Sequence, residues 1–363
     1  MYYIFIFSFV LLLIAEIISI IKGNRYVKSL NGCLNDSKIS IIIPARNEEK
    51  TIGDTLRSIE NQADHNFELV IIVDRCEDLT LDIVEEFAES ADFPVQIIIN
   101  ELTPPIGNNP KVFLLKSGIE AAAGELFLFT DADCIVPSDW LLQYRKMFSQ
   151  KDTGLVPGFL SVKSDRSLLT NFQNFDHIYR SFYTAACTGA GIPTGGFGNN
   201  LAVSRECYDS FGGYDGLPKS VTEDAVMVSS VGKSQFYKVR ALSSRSASVQ
   251  THAQTGLNNF LKQSVRWTSG AVYAPDIKSR LFYIILMFVL TFVHMVFPFS
   301  LLSSPALIIP VIGYLYLFTS ALAAGIFMNA NIKYWIYLIP SIFLFFIFYQ
   351  ITFVITLFRP HII

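Results

Sequence analysis

Residues 125–134 read Glu-Leu-Phe-Leu-Phe-Thr-Asp-Ala-Asp-Cys. The run from Leu126 to Thr130 is short, apolar and bounded by polar residues, the pattern of a buried strand. Asp131 and Asp133 then leave its end on a loop. Two carboxylates one residue apart can share a hard cation, and their oxygens suit Mg²⁺ or Mn²⁺. Such pairs also occur in solvated acidic turns. The place directly after a strand is what gives this one weight.

Working outward, strand and helix signals alternate. Ile39 to Ile43 is a β-branched run ended by Pro44, and Glu48 to Gln62 has helical spacing. Glu68 to Val73 is a second strand, followed by an acidic loop and a helix over Leu81 to Ser90. Val95 to Ile99 is a third strand, Lys111 to Ala123 a helix, and Leu126 to Thr130 the fourth strand. This βαβ alternation predicts an α/β fold, a mostly parallel sheet with helices on both faces. Ligands of such sheets bind beyond the carboxyl ends of the strands.

The polar clusters fall at those ends. Asp74 closes the second strand and opens the loop Asp74-Arg-Cys-Glu-Asp78, which can hold a base or ribose; Asp78 reads as the cap of the next helix. Pro44-Ala-Arg46-Asn47-Glu48-Glu49 leads from strand to helix, where an anion or polar ligand is favoured. Lys111 opens the helix before the Asp131 strand and can meet a diphosphate, although a solvated lysine has the same appearance. Thr194-Gly195-Gly196-Phe-Gly-Asn-Asn200 is a polar turn whose glycines permit close backbone approach. Thr222-Glu223-Asp224 precedes an apolar helix over Ala225 to Val231. A carboxylate there can take a proton from an attacking hydroxyl, or simply offset the helix dipole. Gln263-Ser-Val-Arg266-Trp267 offers a guanidinium fork and an aromatic face.

The chain has 363 residues, a formal charge of -3 and 51% hydrophobic residues, with mean hydropathy +0.40. The charge gives no reason to expect a nucleic-acid partner, and no feature names a protein partner. Five scattered cysteines, none in a C-x-x-C pair, read as reduced thiols rather than a zinc site or disulfide framework. The hydrophobic excess lies at the ends. Tyr2 to Ile21 is long enough to span a bilayer, for which about 20 residues suffice, and reads as a signal anchor. Glu16 inside it reads as an interfacial residue, snorkelling or neutralised. Three more candidate spans are Phe282–Ser303, Ala306–Met328 and Trp335–Phe358. Pro298, Pro305 and Pro310 allow a re-entrant hairpin instead. Lys22, Arg25 and Lys28 after the first run, and Lys278 and Arg280 before the second, put the central domain in the cytoplasm by the positive-inside rule. Four spans then leave both termini outside, against which Arg359 and His361 argue. The expected division is an anchor over 1–22, a globular domain over 23–280 with an interfacial helix near 257–280, and a membrane region of about three spans over 281–363.

Taken together, these motifs resemble the family 2 glycosyltransferases, inverting enzymes of the GT-A fold. The likeness is greatest to their membrane-bound branch of cellulose, chitin and hyaluronan synthases and ceramide glucosyltransferases. It rests on Ser40-Ile-Ile-Ile-Pro-Ala-Arg-Asn-Glu-Glu49, Val73-Asp74, Lys111, Thr130-Asp-Ala-Asp-Cys134, Gly212-Gly-Tyr-Asp215, Thr222-Glu-Asp224 and Gln263-x-x-Arg-Trp267, over residues 38–270. The resemblance implies a hexosyltransferase using a nucleotide-sugar donor, most readily a UDP-sugar, with Mg²⁺ or Mn²⁺. It implies donor contacts from Pro44, Arg46, Glu48, Asp74, Lys111, Asp131, Gln263, Arg266 and Trp267. Asp133 would hold the metal with Asp131 beside it, and Asp224 would be the general base. Acceptor-side candidates are Gly195, Gly196, Glu223 and Trp267. The chain departs from the pattern in having Asp74-Arg75 where the family has an acidic pair. It also has few spans, which implies transfer to a lipid or lipid-linked acceptor at the cytoplasmic membrane rather than extrusion of a polymer. A processive polysaccharide synthase is the nearest alternative. A non-catalytic membrane scaffold and a transporter are alternatives of other classes, opposed by the complete set of carboxylates and the few charges in the apolar segments.

Overall fold

The computed structural model describes residues 13–22, 34–104, 109–163, 165–193, 195–242, 247–274, 277–300 and 308–358, with backbone alone at 278, 279, 282, 293–300 and 308–309. The beginning of the first apolar run, Cys33, Arg25, Lys28, Pro105, Gly107, Thr194, Pro305, Arg359 and His361 lie outside the described residues.

In chain order the elements are β1 (Ile39–Ala45), α1 (Ile52–Glu60), β2 (Phe67–Asp74), α2 (Thr80–Ser90), β3 (Val95–Asn100), α3 (Pro110–Ala121), β4 (Leu126–Phe129), α4 (Trp140–Met147), β5 (Thr153–Pro157), β6 (Phe159–Val162), α5 (Leu168–Gly189), β7 (Leu201–Ser204), α6 (Arg205–Ser210), a 3-10 turn (Gly213–Gly216), α7 (Glu223–Val231), β8 (Lys238–Val239), β9 (Ser248–Thr251), α8 (Leu257–Val272), α9 (Ile277–Ser300), α10 (Ile308–Phe327) and α11 (Ile332–Phe358). They form two compact units. One comprises residues 23–161 and 191–252; the other comprises 1–22, 162–190 and 253–363.

The first unit is built on a seven-stranded sheet in the order β3-β2-β1-β4-β7-β5-β8, with a two-stranded ribbon of β6 and β9. β1, β2, β3 and β4 pair in parallel, and β7 runs antiparallel to both β4 and β5. Every residue of β2 is buried. A parallel strand covered on both faces needs a continuous apolar run, which is what Leu69 to Val73 supply. α3 lies close on this sheet at Gly118, where a Cβ would stand 2.7 Å from both Ile42 Cγ2 and Ile72 Cδ1. α1 turns Ile52, Leu56 and Ile59 inward, an i, i+4, i+7 stripe. It begins later than the spacing from Glu48 predicts. Residues 48–51 form a separate turn before it, closed by the Thr51 N–H on the Glu48 carbonyl at 3.0 Å, and Thr51 at φ -125 stands outside the helix.

The second unit is helical. α5 packs along α11 and α10, and α8 along α11 and α9. Thr268 Oγ1 donates to Thr352 Oγ1 at 3.3 Å and Tyr273 donates to the Thr356 carbonyl at 3.2 Å, joining α8 to α11. α11 is apolar on both sides. Leu338, Ile342, Phe346 and Phe353 are buried, while Ile339, Phe343, Ile347, Ile351 and Val354 are exposed. An apolar face that size left open suits hydrocarbon rather than water. Among the described residues two helical stretches, Pro310–Phe327 and Ile332–Phe358, are long and apolar enough to cross a membrane, and Tyr283–Phe292 is a shorter apolar stretch. Residues 13–22 are helical. Glu16 is 8% exposed within this unit, and its carboxylate accepts from Tyr316 at 2.5 Å and Ser320 at 2.9 Å on α10. It is thus a satisfied buried group tying two helices together rather than a snorkelling one.

Candidate active site

The loop after β4 carries the acidic pair. Its shape is held by three contacts: Thr55 on α1 donates to the Ala132 carbonyl at 2.9 Å, the Cys134 N–H donates to the Asp131 carbonyl at 3.2 Å, and Ile135 bridges to Gln250 in β9. Asp133 is half-buried. Among the described residues its carboxylate receives two contacts, Cys134 Sγ at 3.4 Å and Thr251 Oγ1 at 3.3 Å, while His252 Nδ1 lies 3.1 Å from its backbone carbonyl. Burial, and then the charge of Asp131, push its carboxyl above the usual range. A carboxylate withdrawn from water and short of positive charge is a suitable ligand for a divalent cation, so this donor set fits Mg²⁺ or Mn²⁺.

Lys111 joins this pair to a second set of acids. α3 starts at Pro110, and the Asn109 side chain caps it by accepting from the Lys111 N–H at 3.0 Å. That places Lys111 Nζ 2.5 Å from Asp131 Oδ1. Burial alone would lower the ammonium pKa. Asp131 first, then Glu223, the bond to Asp131 and Asp224 outweigh it and hold the group above its ordinary value. Asn109 also reaches across, donating through Nδ2 to Glu223 Oε2 at 2.9 Å. Asp224, second residue of α7, accepts from Gly198 N–H at 2.8 Å and from its neighbour Ala225 N–H at 2.7 Å. Burial and the adjacent Glu223 push its carboxyl up to about 6, against the pull of those N–H groups and of Lys111. The turn holding Gly195 and Gly196 is therefore the turn that delivers Gly198 to Asp224. It is anchored by Asn200, whose side chain accepts from Trp140 and Tyr144 and donates to the Phe159 and Ala247 carbonyls.

At the ends of β1 and β2 stand Pro44, Arg46, Glu48 and Asp74. Burial raises the Glu48 carboxyl, and the charges of Asp133, Asp131 and Asp78 add to it; its Oε2 accepts from Thr51 Oγ1 at 2.7 Å. Asp74 is turned inward. Arg75 grips both of its oxygens at 2.9 Å, Asn100 Nδ2 donates to Oδ1 at 2.6 Å, and Arg46 stands 3.8 Å from Oδ2. The bonds from Arg75 hold the Asp74 carboxyl below the usual range.

Gln263, Arg266 and Trp267 lie on α8 in the helical unit. Arg266 is exposed and Trp267 half-buried. The Gln263 Oε1 atom is buried without a hydrogen-bond partner among the described residues. Trp267 packs within its own unit against α5: the Arg180 guanidinium lies 4.9 Å from the ring centre, and the His177 ring meets it at 5.6 Å and 76°. Arg180 Nε donates to both oxygens of Asp176 at 3.0 Å. Tyr349 donates to Asp176 Oδ1 at 2.6 Å and accepts from Arg180.

The family model for glycosyl transferase family 21 matches residues 5–363. The chain belongs to glycosyl transferase family 21. The motif reading of a glycosyltransferase therefore stands, under the family 21 model. The chain is similar to a probable glycosyltransferase, YdaM, of Bacillus subtilis (strain 168), at 32% identity over 52% of this chain and 44% of that protein. It is also similar to an undecaprenyl-phosphate 4-deoxy-4-formamido-L-arabinose transferase of Pseudomonas syringae pv. syringae (strain B728a), at 32% identity over 31% of this chain and 33% of the relative. The matched stretch thus spans less than half the length of either curated relative. A mannosyltransferase from Pyrobaculum calidifontis, solved with GDP-Man and Mn²⁺, shares the fold with a TM-score of 0.53 at 16% identity, over 98% of this chain and 96% of that one. The α/β sheet of this family 21 chain is accordingly of the GT-A glycosyltransferase type.

In this family 21 chain the structure gathers Asp131, Asp133, Lys111, Glu223 and Asp224 into one connected set and puts Glu48 beside it. Pro44, Arg46 and Asp74 stand at neighbouring strand ends. Sequence reasoning passed over Asn109 and His252, and met Asn200 only as the end of a polar turn, not as its anchor. Asn109 had a visible signal, an Asn just before a Pro-initiated helix. Its second bond, to Glu223, and the contact of His252 with the Asp133 loop come from chain segments far apart and leave no local trace.

Proposed function

We propose that this chain transfers a sugar from a nucleotide-sugar donor to a lipid or lipid-linked acceptor at a membrane, with inversion at the anomeric carbon. The observation that carries the reading is Asp224. Its carboxyl is raised to about 6, near the pH at which a general base works best. Through Lys111 it belongs to the same electrostatic set as the Asp131–Asp133 loop. The lipid acceptor is supported by the transferase of Pseudomonas syringae, whose name specifies undecaprenyl phosphate, and by two helices able to cross a membrane. The cytoplasmic membrane, with the sheet unit on its cytoplasmic side, is the setting that the basic residues flanking the apolar runs favour.

The acceptor hydroxyl attacks the anomeric carbon in line with the departing diphosphate. A bond forms between acceptor oxygen and carbon as the bond from carbon to the diphosphate oxygen breaks, and the hydroxyl proton passes to Asp224. Gly198 N–H and Ala225 N–H fix that carboxylate's direction. Lys111, and Arg266 from the helical unit, are the cations assigned to the leaving diphosphate. Gln263 and Trp267 are assigned to the donor, Trp267 with Gly195, Gly196 and Glu223 also to the acceptor side. Asp133, with Asp131 beside it, would hold Mg²⁺ or Mn²⁺, which supplies charge stabilisation to the diphosphate when bound. Mn²⁺ accompanies the mannosyltransferase of like fold. The test is transfer of labelled sugar into extracted membrane lipid. Chelation, or Asp133→Ala, is expected to abolish label in the lipid phase, and Mg²⁺ or Mn²⁺ to restore the chelated parent enzyme only. Full transfer by Asp133→Ala in the presence of chelator would refute the metal assignment.

A further inference from the structure

Resting on that reading, we infer that Arg75, not Asp74, reads the donor's nucleobase, by donating to a carbonyl oxygen of uracil or guanine, and that Asp74 serves as its positioning residue. Asp74 is poorly placed to meet a ligand. Its side chain is 3% exposed. A carboxylate offers about four acceptor positions, and Arg75 Nε, Arg75 Nη2 and Asn100 Nδ2 occupy three, with Arg46 close by.

The guanidinium that does the gripping is the group turned outward. The Arg75 side chain is 25% exposed. Nε and Nη2 are committed to Asp74, while among the described residues Nη1 makes a single 3.4 Å contact, to Thr103 Oγ1, long enough to yield to a better acceptor. The backbone holds it there. Arg75 takes a left-handed conformation, φ 45, uncommon for a residue with a long side chain. Its N–H donates to the Asn100 carbonyl at 3.0 Å. The next residues are tied to the second left-handed position, Asn47: Asn47 Oδ1 accepts from Glu77 N–H at 2.9 Å and Asn47 N–H donates to Cys76 Sγ at 3.3 Å. A turn so constrained at the carboxyl end of a parallel strand is where this fold class binds nucleotides. A guanidinium supplies donors only, so it suits a keto oxygen. Adenine has none.

The test is calorimetric titration of the detergent-purified full chain with UDP, GDP and ADP, each with Mn²⁺. Arg75→Ala is expected to weaken UDP or GDP, whichever the parent binds, by roughly ten- to hundred-fold, and to leave the weaker ADP binding where it was. Arg75→Lys, which keeps the charge but not the two-pronged grip, is expected to lose most of that affinity, and Asp74→Asn to follow it. Arg75→Ala binding UDP and GDP as the parent does, with Asp74→Asn changing base preference, overturns the inference and leaves the proposed function standing. A parent chain that binds none of the three overturns both. Should Asp74→Asn fail to fold, Arg75→Ala decides the matter by itself.

Discussion

Asp224, half-buried, and Asp176, fully buried, are helical carboxylates, one in each unit, and their surroundings differ in kind. Asp176 is fully buried and answered in full: Arg180 grips both oxygens and Tyr349 donates to one. Asp224 has two backbone N–H groups and no ion pair among the described residues, and Asp133 has a thiol and a hydroxyl but no cation on its oxygens among them. A buried charge left uncompensated costs stability, so it persists where something other than stability selects it. In the helical unit the pair is a packing device that also fixes Trp267, whose ring lies against Arg180. In the sheet unit the charges are held available.

The comparison breaks most visibly under substitution of the two aspartates. Asp224→Asn is expected to lower sugar transfer by about 10²–10⁴-fold, the usual scale for a general base. Its thermal midpoint is expected to be no lower than the parent's at pH 7, because the ionised carboxylate is the disfavoured form there. Asp176→Ala does the reverse. It strands Arg180 and should cost about 3–5 kcal/mol, read as a lower unfolding midpoint in detergent. The double change Asp176→Leu with Arg180→Leu should recover most of that loss. Equal destabilisation by Asp224→Asn and Asp176→Ala would erase the distinction.

A smaller effect is expected with pH. A base raised to about 6 loses activity as pH falls through that value, because the protonated form takes no proton from the acceptor. Stability should move the opposite way. The Asp224 carboxyl binds its proton more tightly in the folded chain than in the unfolded one. Its contribution is therefore fully present below the unfolded value, about 4, and is lost as pH rises through about 6. A kcat profile falling on the acid side, absent from the residual activity of Asp224→Asn, sharpens the assignment; one common profile for both contradicts it.

The strands β1 to β4 were legible because parallel strands buried on both faces must be continuous apolar runs. The acids at their ends were legible because β4 points Asp131 and Asp133 out of the core. α5 was not. Its buried face carries the apolar stripe Phe172, Phe175, Ile178 and Phe182 but also Asn171, Gln173, Asn174, Asp176 and His177, and the partners that let such polar residues be buried, among them Tyr349, Arg180 and the Gln254 backbone, are not written in the local pattern. The late start of α1 comes from the turn over residues 48–51, which helical spacing does not reveal. The Asp74-Arg75 departure was visible as letters. That the arginine encloses the aspartate follows only from the backbone turn at Arg75 and from Asn100 on the neighbouring strand.

The most direct measurement is single-turnover transfer from a panel of labelled UDP- and GDP-sugars, with Mn²⁺ and total membrane lipid, by the parent chain and Asp224→Asn side by side. The account predicts label from one donor in the lipid phase for the parent and nearly none for the variant, with donor binding retained in both. Label in an aqueous polymer would contradict the lipid acceptor, and equal transfer by the two chains would contradict the role given to Asp224.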